Sequence, residues 1–162
     1  MLDFDWTSLE GRLATTLPED YKWLVSTYGA GKFDDFMHVL QPTSPFPSIQ
    51  LEYSWKRSTE VLELLSEGED IPYPIDTLHP VATSDNGDTI YWVGSADTDP
   101  GAWTITANGA RNRNWPKFEG GIVSFLVGVL SGDVRMDVFP KTFPSAHPQF
   151  ARYVVRASRR RP

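Results

Sequence analysis

The chain reads as an α+β domain in which helices pack on a largely antiparallel central sheet. Three observations predict this. Apolar residues recur at helical spacing in four separate stretches, two runs of strict alternation carry β-branched and aromatic residues, and an Asn86-Gly87 turn signal joins two strands directly. Short turns of that kind connect antiparallel neighbours, because parallel strands need a long crossover.

Trp6, Leu9 and Leu13 share one helical face behind Asp5 and Thr7, two candidate caps, which predicts a short helix over 7–16 that Gly11 weakens. The second helix starts at Pro18, whose fixed φ suits the first helical position. Glu19 and Asp20 follow at the positive end of the helix dipole, and Tyr21, Leu24, Val25 and Tyr28 keep helical spacing. Gly29 closes it, since a glycine just past the last periodic residue takes backbone angles that other residues resist. Residues 36–40 are expected as a strand. After Pro42, Pro45 and Pro47, a third helix follows from Leu51, Trp55, Ser58, Leu62 and Leu65 and ends near Gly68, with Glu52 and Lys56 paired on its outer side.

A second proline-rich stretch, from Pro72 to Pro80, leads into a hairpin around Asn86-Gly87, both residues tolerating positive φ. On the return strand Ile90 and Trp92 face one way while Thr89, Tyr91 and Val93 face the other, so large groups cover both sides and the strand is central. Trp103 to Ala107 alternates before an Asn108-Gly109 turn, and Trp115 to Phe118 is a candidate further strand. Ile122, Phe125, Leu126, Val129 and Leu130 form a last helical face that stops at Gly132, beyond which three prolines keep the remainder irregular.

One domain over 1–153 is expected, followed by a basic tail at 154–162. A chain of 162 residues buries about two thirds of its unfolded surface on folding. Its hydrophobic fraction of 40% supplies a core that disordered chains lack. No apolar run approaches the roughly 20 residues of a membrane span, and Asp3 and Asp5 stand where a secretory signal would be basic. A cytoplasmic protein is therefore expected. The absence of cysteine excludes disulfides, thiolate metal sites and cysteine catalysis.

Net charge is −6, and five of the fifteen basic residues lie after residue 150, so the domain itself is more acidic than the total suggests. Such a surface repels phosphates and speeds encounters with basic partners. Arg111-Asn112-Arg113-Asn114-Trp115 and Arg159-Arg160-Arg161 put charge near an aromatic, but the acidic remainder opposes nucleic acid binding, and the terminal arginines read as a solvated tail.

Catalytic and metal-binding patterns are weak. His38, His79 and His147 have no second histidine at ligand spacing, and His38 alternates with Phe36 and Leu40 as a packed strand residue would. Asp34 with Asp35, Asp85 with Asp88 and Glu69 with Asp70 are candidate acid–base or cation pairs, yet Asp85-Asn86-Gly87-Asp88 lacks the ligand spacing of a calcium loop and has a turn to form. Gly29-Ala30-Gly31 follows a helix and has no lysine, so it fails as a phosphate loop. No cofactor, no metal and no enzymatic activity is expected. A hydrolase using paired carboxylates and a metal stays as the contrasting class.

Leu17-Pro18-Glu19-Asp20-Tyr21, Tyr28-Gly29, Gly31, Phe33-Asp34-Asp35-Phe36, then Ser84-Asp85-Asn86-Gly87-Asp88 with Tyr91-Trp92, Phe118, Gly120-Gly121, Val138-Phe139-Pro140 and Phe143-Pro144-Ser145 occur in an order that resembles the SUKH superfamily, in its actinobacterial branch. The resemblance spans about residues 17–153. It implies a SUKH-like α+β fold and, for many members, an immunity protein that neutralises a polymorphic toxin of nuclease or deaminase class by direct binding. Relatives in fungi regulate cell-wall assembly and signalling, so a regulatory adapter is the alternative. No catalytic residue carries over. Pro18, Tyr28, Gly29, Phe36, Asn86, Gly87 and Trp92 look like fold-specifying positions, and the acidic residues beside them, Asp34, Asp35, Asp85 and Asp88, are the candidate contacts to a basic toxin surface.

Overall fold

Asp5 caps the first helix: its carboxylate accepts the Ser8 N–H at 3.0 Å in the computed structural model, which describes residues 1–109 and 114–154. α1 (Trp6–Leu13) is shorter than its sequence pattern, because Ala14 turns left-handed at φ 55° and its N–H returns to the Glu10 carbonyl. α2 (Glu19–Tyr28) follows, with Pro18 as its extended cap in place of its first helical residue. Gly29 closes it at φ 72° and ψ −162°, a combination that side chains exclude.

Two strands follow where the sequence predicted one. β1 (Gly31–Phe33) and β2 (Met37–Val39) form a hairpin whose central residues are Asp34 and Asp35. α3 (Leu51–Ser66) then leads to the hairpin of β3 (Leu78–Ser84) and β4 (Thr89–Val93), and β5 (Thr104–Asn108) and β6 (Lys117–Phe118) continue the sheet. Of the strand expected at 115–118, only the last two residues pair. α4 (Ile122–Ser131) ends at Gly132 as its pattern predicts, but the chain beyond is not wholly irregular: β7 (Phe150–Arg152) pairs with β1. Three residues are too few for alternation to register against nearby prolines. Residues 111–113 and the arginine tail beyond 154 lie outside the described residues.

The sheet is antiparallel throughout, in the order β6-β5-β4-β3-β2-β1-β7. The fold is α+β, and β4 lies within the sheet with large groups on both sides. On the inner face Ile90, Trp92, Ile105 and Ala107 meet Leu9 of α1, Tyr21, Leu24 and Val25 of α2, and Phe125 and Val129 of α4. Tyr21 is fully buried, its ring lies edge-on to Trp92 at 5.0 Å, and its hydroxyl donates to the Leu40 carbonyl at 2.7 Å. That bond ties the residue following β2 to α2. On the outer face a smaller cluster joins Leu62 of α3 to Leu78 and Tyr91, closed by Ile71, Tyr73, Ile75 and Trp115.

β2 pairs only with Ala82 to Ser84, so the first half of β3 has no strand on that side. α3 takes its place. Pro80 has no N–H to offer, and its carbonyl accepts from Trp55 Nε1 at 2.9 Å. The Trp55 ring also stacks on His79 at 4.4 Å and 20° and meets Trp92 edge-on. Burial pulls the His79 imidazole below its ordinary pKa, so it stays neutral in this stack. A helix covering an open stretch of strand prevents pairing with other chains.

Trp55→Phe keeps an aromatic ring against His79 but removes the donor to Pro80 and part of the indole's packing. It should lower unfolding free energy by about 1–3 kcal/mol in chemical denaturation with the β4–β5 amides still protected. A loss of protection across the whole sheet would show that Trp55 acts through the core instead.

Candidate functional site

Two hairpin tips meet at one end of the sheet. The β1–β2 turn is closed by the Phe36 N–H donating to the Phe33 carbonyl at 3.1 Å, and Asp34 and Asp35 both hold positive φ, 54° and 49°. Two successive positive φ values are the mark of the primed turns that suit hairpins, and aspartate tolerates them better than most residues. The next tip over differs from its sequence reading. The Gly87 N–H bonds to the Ser84 carbonyl at 3.1 Å and the Ser84 N–H to the Asp88 carbonyl at 3.0 Å, leaving three residues in the loop. Only Gly87 has positive φ there, at 82°, so Asn86 is an ordinary turn residue. The Asp85 N–H donates to the Phe36 carbonyl at 3.0 Å and locks the two tips together.

The four aspartates picked from the sequence have four different situations. Asp88 is buried, 4% exposed, and its carboxylate accepts the Ser84 hydroxyl at 2.6 Å, so it is no partner contact. Alternation explains this: two residues before Ile90 and four before Trp92, Asp88 falls on the inner face, with Ser84 opposite. Burial raises its pKa, and the Ser84 hydrogen bond offsets part of the rise. Asp34 uses both oxygens on Ser145, accepting its N–H at 2.7 Å and its hydroxyl, while its own N–H donates to Gln149 at 2.7 Å. Its duty is to hold the segment that leads into β7.

Asp85 holds a row of side chains on the outer face. Lys32 donates to its Oδ2 at 3.0 Å and His38 Nε2 lies 2.7 Å from its Oδ1. An ionised carboxylate only accepts, which assigns the proton to Nε2 in the neutral ring and leaves Nδ1 to accept from the Tyr153 hydroxyl beside it. His38, and then Lys32, hold the Asp85 carboxyl below its ordinary range. Tyr153 shifts the other way, raised by burial and by Asp85 and Asp35. A hydroxyl, an imidazole and a carboxylate lie in line here, the order of a nucleophile, its base and the group that orients the base. The row joins β1, β2, the β3–β4 tip and the end of β7.

Asp35 alone keeps its carboxylate in solvent. Its side chain is 97% exposed, with Lys32 a loose 3.6 Å away. Among the described residues no group of three or more His, Cys, Asp or Glu side chains is placed to hold a metal ion, and no helix is long and apolar enough to cross a membrane.

The conspicuous fold positions all have local duties. Tyr28 packs on Phe33 and Phe150, Phe36 on Phe139 and Phe143, and Trp92 is fully buried. Sequence reasoning missed a second surface beside the tips. His38 pairs with Thr83 and Thr83 with Thr89, all on the outer face, and from there an open groove of about 540 Å³ runs between Thr83, Thr89 and Tyr91 and the α3 residues Tyr53, Arg57 and Val61. The available signal was Tyr53, Val61 and Leu64 on the helix side that the buried stripe does not use.

Asp85 and Asp88 should carry opposite pH signatures. A lowered carboxyl pKa contributes stability above the unfolded value, about 4, which is lost as pH falls through the folded value; a raised one destabilises the ionised fold at neutral pH. Asp85→Asn should therefore cost up to about 1 kcal/mol at pH 7, small because Asp85 is half exposed, and progressively less as pH falls below about 4. Asp88→Asn should be neutral or stabilising at pH 7. Thermal unfolding between pH 3 and 8 decides, and parallel profiles for the two variants would contradict the assignment.

Compared with known proteins, the chain matches no family model, no curated protein and no solved structure.

Proposed function

We propose that the chain is a non-catalytic, SUKH-type protein-binding domain that acts in the cytoplasm as an immunity protein, docking on the basic surface of a toxin of nuclease or deaminase class. The observation that carries the reading is the Asp34-Asp35 turn. Two consecutive non-glycine residues are held at positive φ by a hairpin bond, by the Ser145 contacts of Asp34 and by the lock to the next tip, and the product is one rigidly placed, solvent-facing carboxylate on Asp35. Conformational cost of this kind persists where the surroundings over-determine it and gathers at sites of function. A charge on a stiff tip loses little entropy on binding, and the acidic domain around it steers a basic partner inward.

The sequence resemblance adds the class of partner. The test is co-expression with the toxin domain encoded in the neighbouring gene: growth should be protected, a complex should elute as one species in size exclusion, and Asp35→Lys should slow association roughly tenfold at low salt and less at high salt. No protection together with no complex would end the immunity reading. A neighbourhood without a toxin gene would turn it toward a regulatory adapter.

A further inference from the structure

The helix that covers the open half of β3 shows three different faces. Leu51 and Leu62 are buried, and Trp55, Ser58 and Leu65 lie half-buried beside them. Tyr53, Arg57, Val61 and Leu64 stand at i, i+4, i+8 and i+11, one stripe along the helix. It is exposed: Tyr53 by 44%, Val61 by 49% and Leu64 by 67%, with Phe46 exposed by 48% near its start. On one side the stripe borders the groove. On the other lie Glu60, Glu63 and Glu67, all exposed and without an ion pair among the described residues. Glu52, on the same flank, is already taken by Arg12 at 2.8 Å and Lys56 at 3.4 Å.

This surface is continuous with the hairpin tips. Thr83 and Thr89, at the groove's end, are the residue pair next to Ser84 and Asp88, and Tyr153 lies between His38 and Phe46, whose rings are 5.8 and 6.5 Å from its own. We propose that the α3 stripe and its groove are the apolar anchor of a docking surface for a basic protein partner, which places a hydrophobic side chain against Tyr53, Val61 and Tyr91 and its lysines or arginines on Glu60, Glu63 and Glu67. The proposal rests on the reading of a basic protein partner given above and names a surface for it beyond the aspartate tips. Charge selects the occupant. A second copy of this chain that packs its α3 stripe antiparallel on this one across a two-fold axis would bring glutamate ridge toward glutamate ridge, whereas a basic partner satisfies the ridge and the apolar stripe together. Tyrosine and arginine beside an apolar hollow are also the residue types that dominate protein interfaces.

The test uses a synthetic amphipathic helix of leucine and lysine, and the same peptide with glutamate for lysine, titrated into the labelled chain by amide chemical shifts. The lysine peptide should move the amides of Tyr53, Val61, Leu64, Thr83 and Thr89, and the glutamate peptide should not. Glu60→Lys, Glu63→Lys and Glu67→Lys together should weaken the lysine peptide about tenfold or more, and Val61→Glu should do the same. All four positions are exposed or half exposed, and circular dichroism checks that the variants stay folded. Shifts spread evenly over the acidic surface, shifts confined to other elements, or no binding at millimolar peptide would overturn the proposal. So would dilution-dependent shifts without peptide, which mark self-association, or binding that begins only after residues 155–162 are removed, which marks the chain's own end as occupant. The two readings fail separately. A bound toxin indifferent to Val61→Glu and to the glutamate reversals removes this surface and leaves the immunity reading, while peptide binding here with no toxin binding does the reverse.

Discussion

An antiparallel sheet has two faces to cover, and this chain packs α1, α2 and α4 on one, while α3 lies along the open half of β3 and reaches both, Leu51 and Trp55 joining the inner cluster and Leu62 the outer one. That inequality governs the rest of the molecule. The inner face becomes a closed core built on Tyr21, Trp92 and Phe125, each fully buried and within ring contact of further aromatics. The outer face is apolar only where α3, Ile71, Tyr73 and Trp115 reach it. Toward the hairpin tips it changes to Lys32, His38, Thr83 and Thr89, the polar half of a sheet that faces water on one side.

The polar half is ordered by one carboxylate. Asp85 draws Lys32 and His38 together, and through His38 it reaches Tyr153 just after β7. A three-residue edge strand has little pairing of its own, so side chains hold it: Asp34 on Ser145, the aromatic contacts of Phe150 with Tyr28 and Phe33, and Tyr153 on His38. The acidic residues of the tips thus first serve the chain's own closure. What remains for a partner is Asp35 at the tip and Glu60, Glu63 and Glu67 along α3, which have no ion pair among the described residues.

Helices and the central hairpin were legible because their signals are periodic and local: α2 between Pro18 and Gly29, α4 before Gly132, and the two-sided alternation of β4. β1 and β7 were not, since three residues cannot establish a period and their pairing is a contact across more than a hundred positions. Turn chemistry was read in part. Asn86-Gly87 is the stronger sequence signal and does lie in a hairpin, with Gly87 at positive φ, but two successive positive φ values occur at Asp34-Asp35, where the Ser145 and Gln149 contacts come from a distant part of the chain. Asp88 was legible in principle, because the alternation that buries Ile90 and Trp92 buries it as well. The α3 surface was hidden for a different reason: a sequence gives the helix side that is buried far more readily than the exposed side that is left without a cover.

Exposed large apolar side chains compete as binding surfaces, and they lie on different elements: Tyr53, Val61 and Leu64 on α3, Trp23 on α2 and Val127 on α4. The α3 side chains have beside them carboxylates without an ion pair among the described residues and a groove that leads to the hairpin tips. A crystal structure of the chain bound to the toxin domain of its neighbouring gene measures the choice directly. The account predicts that Asp35, Tyr53 and Val61 are buried by the partner and that Trp23 and Val127 stay in solvent; a partner seated on Trp23 and Val127, with α3 uncovered, would contradict it.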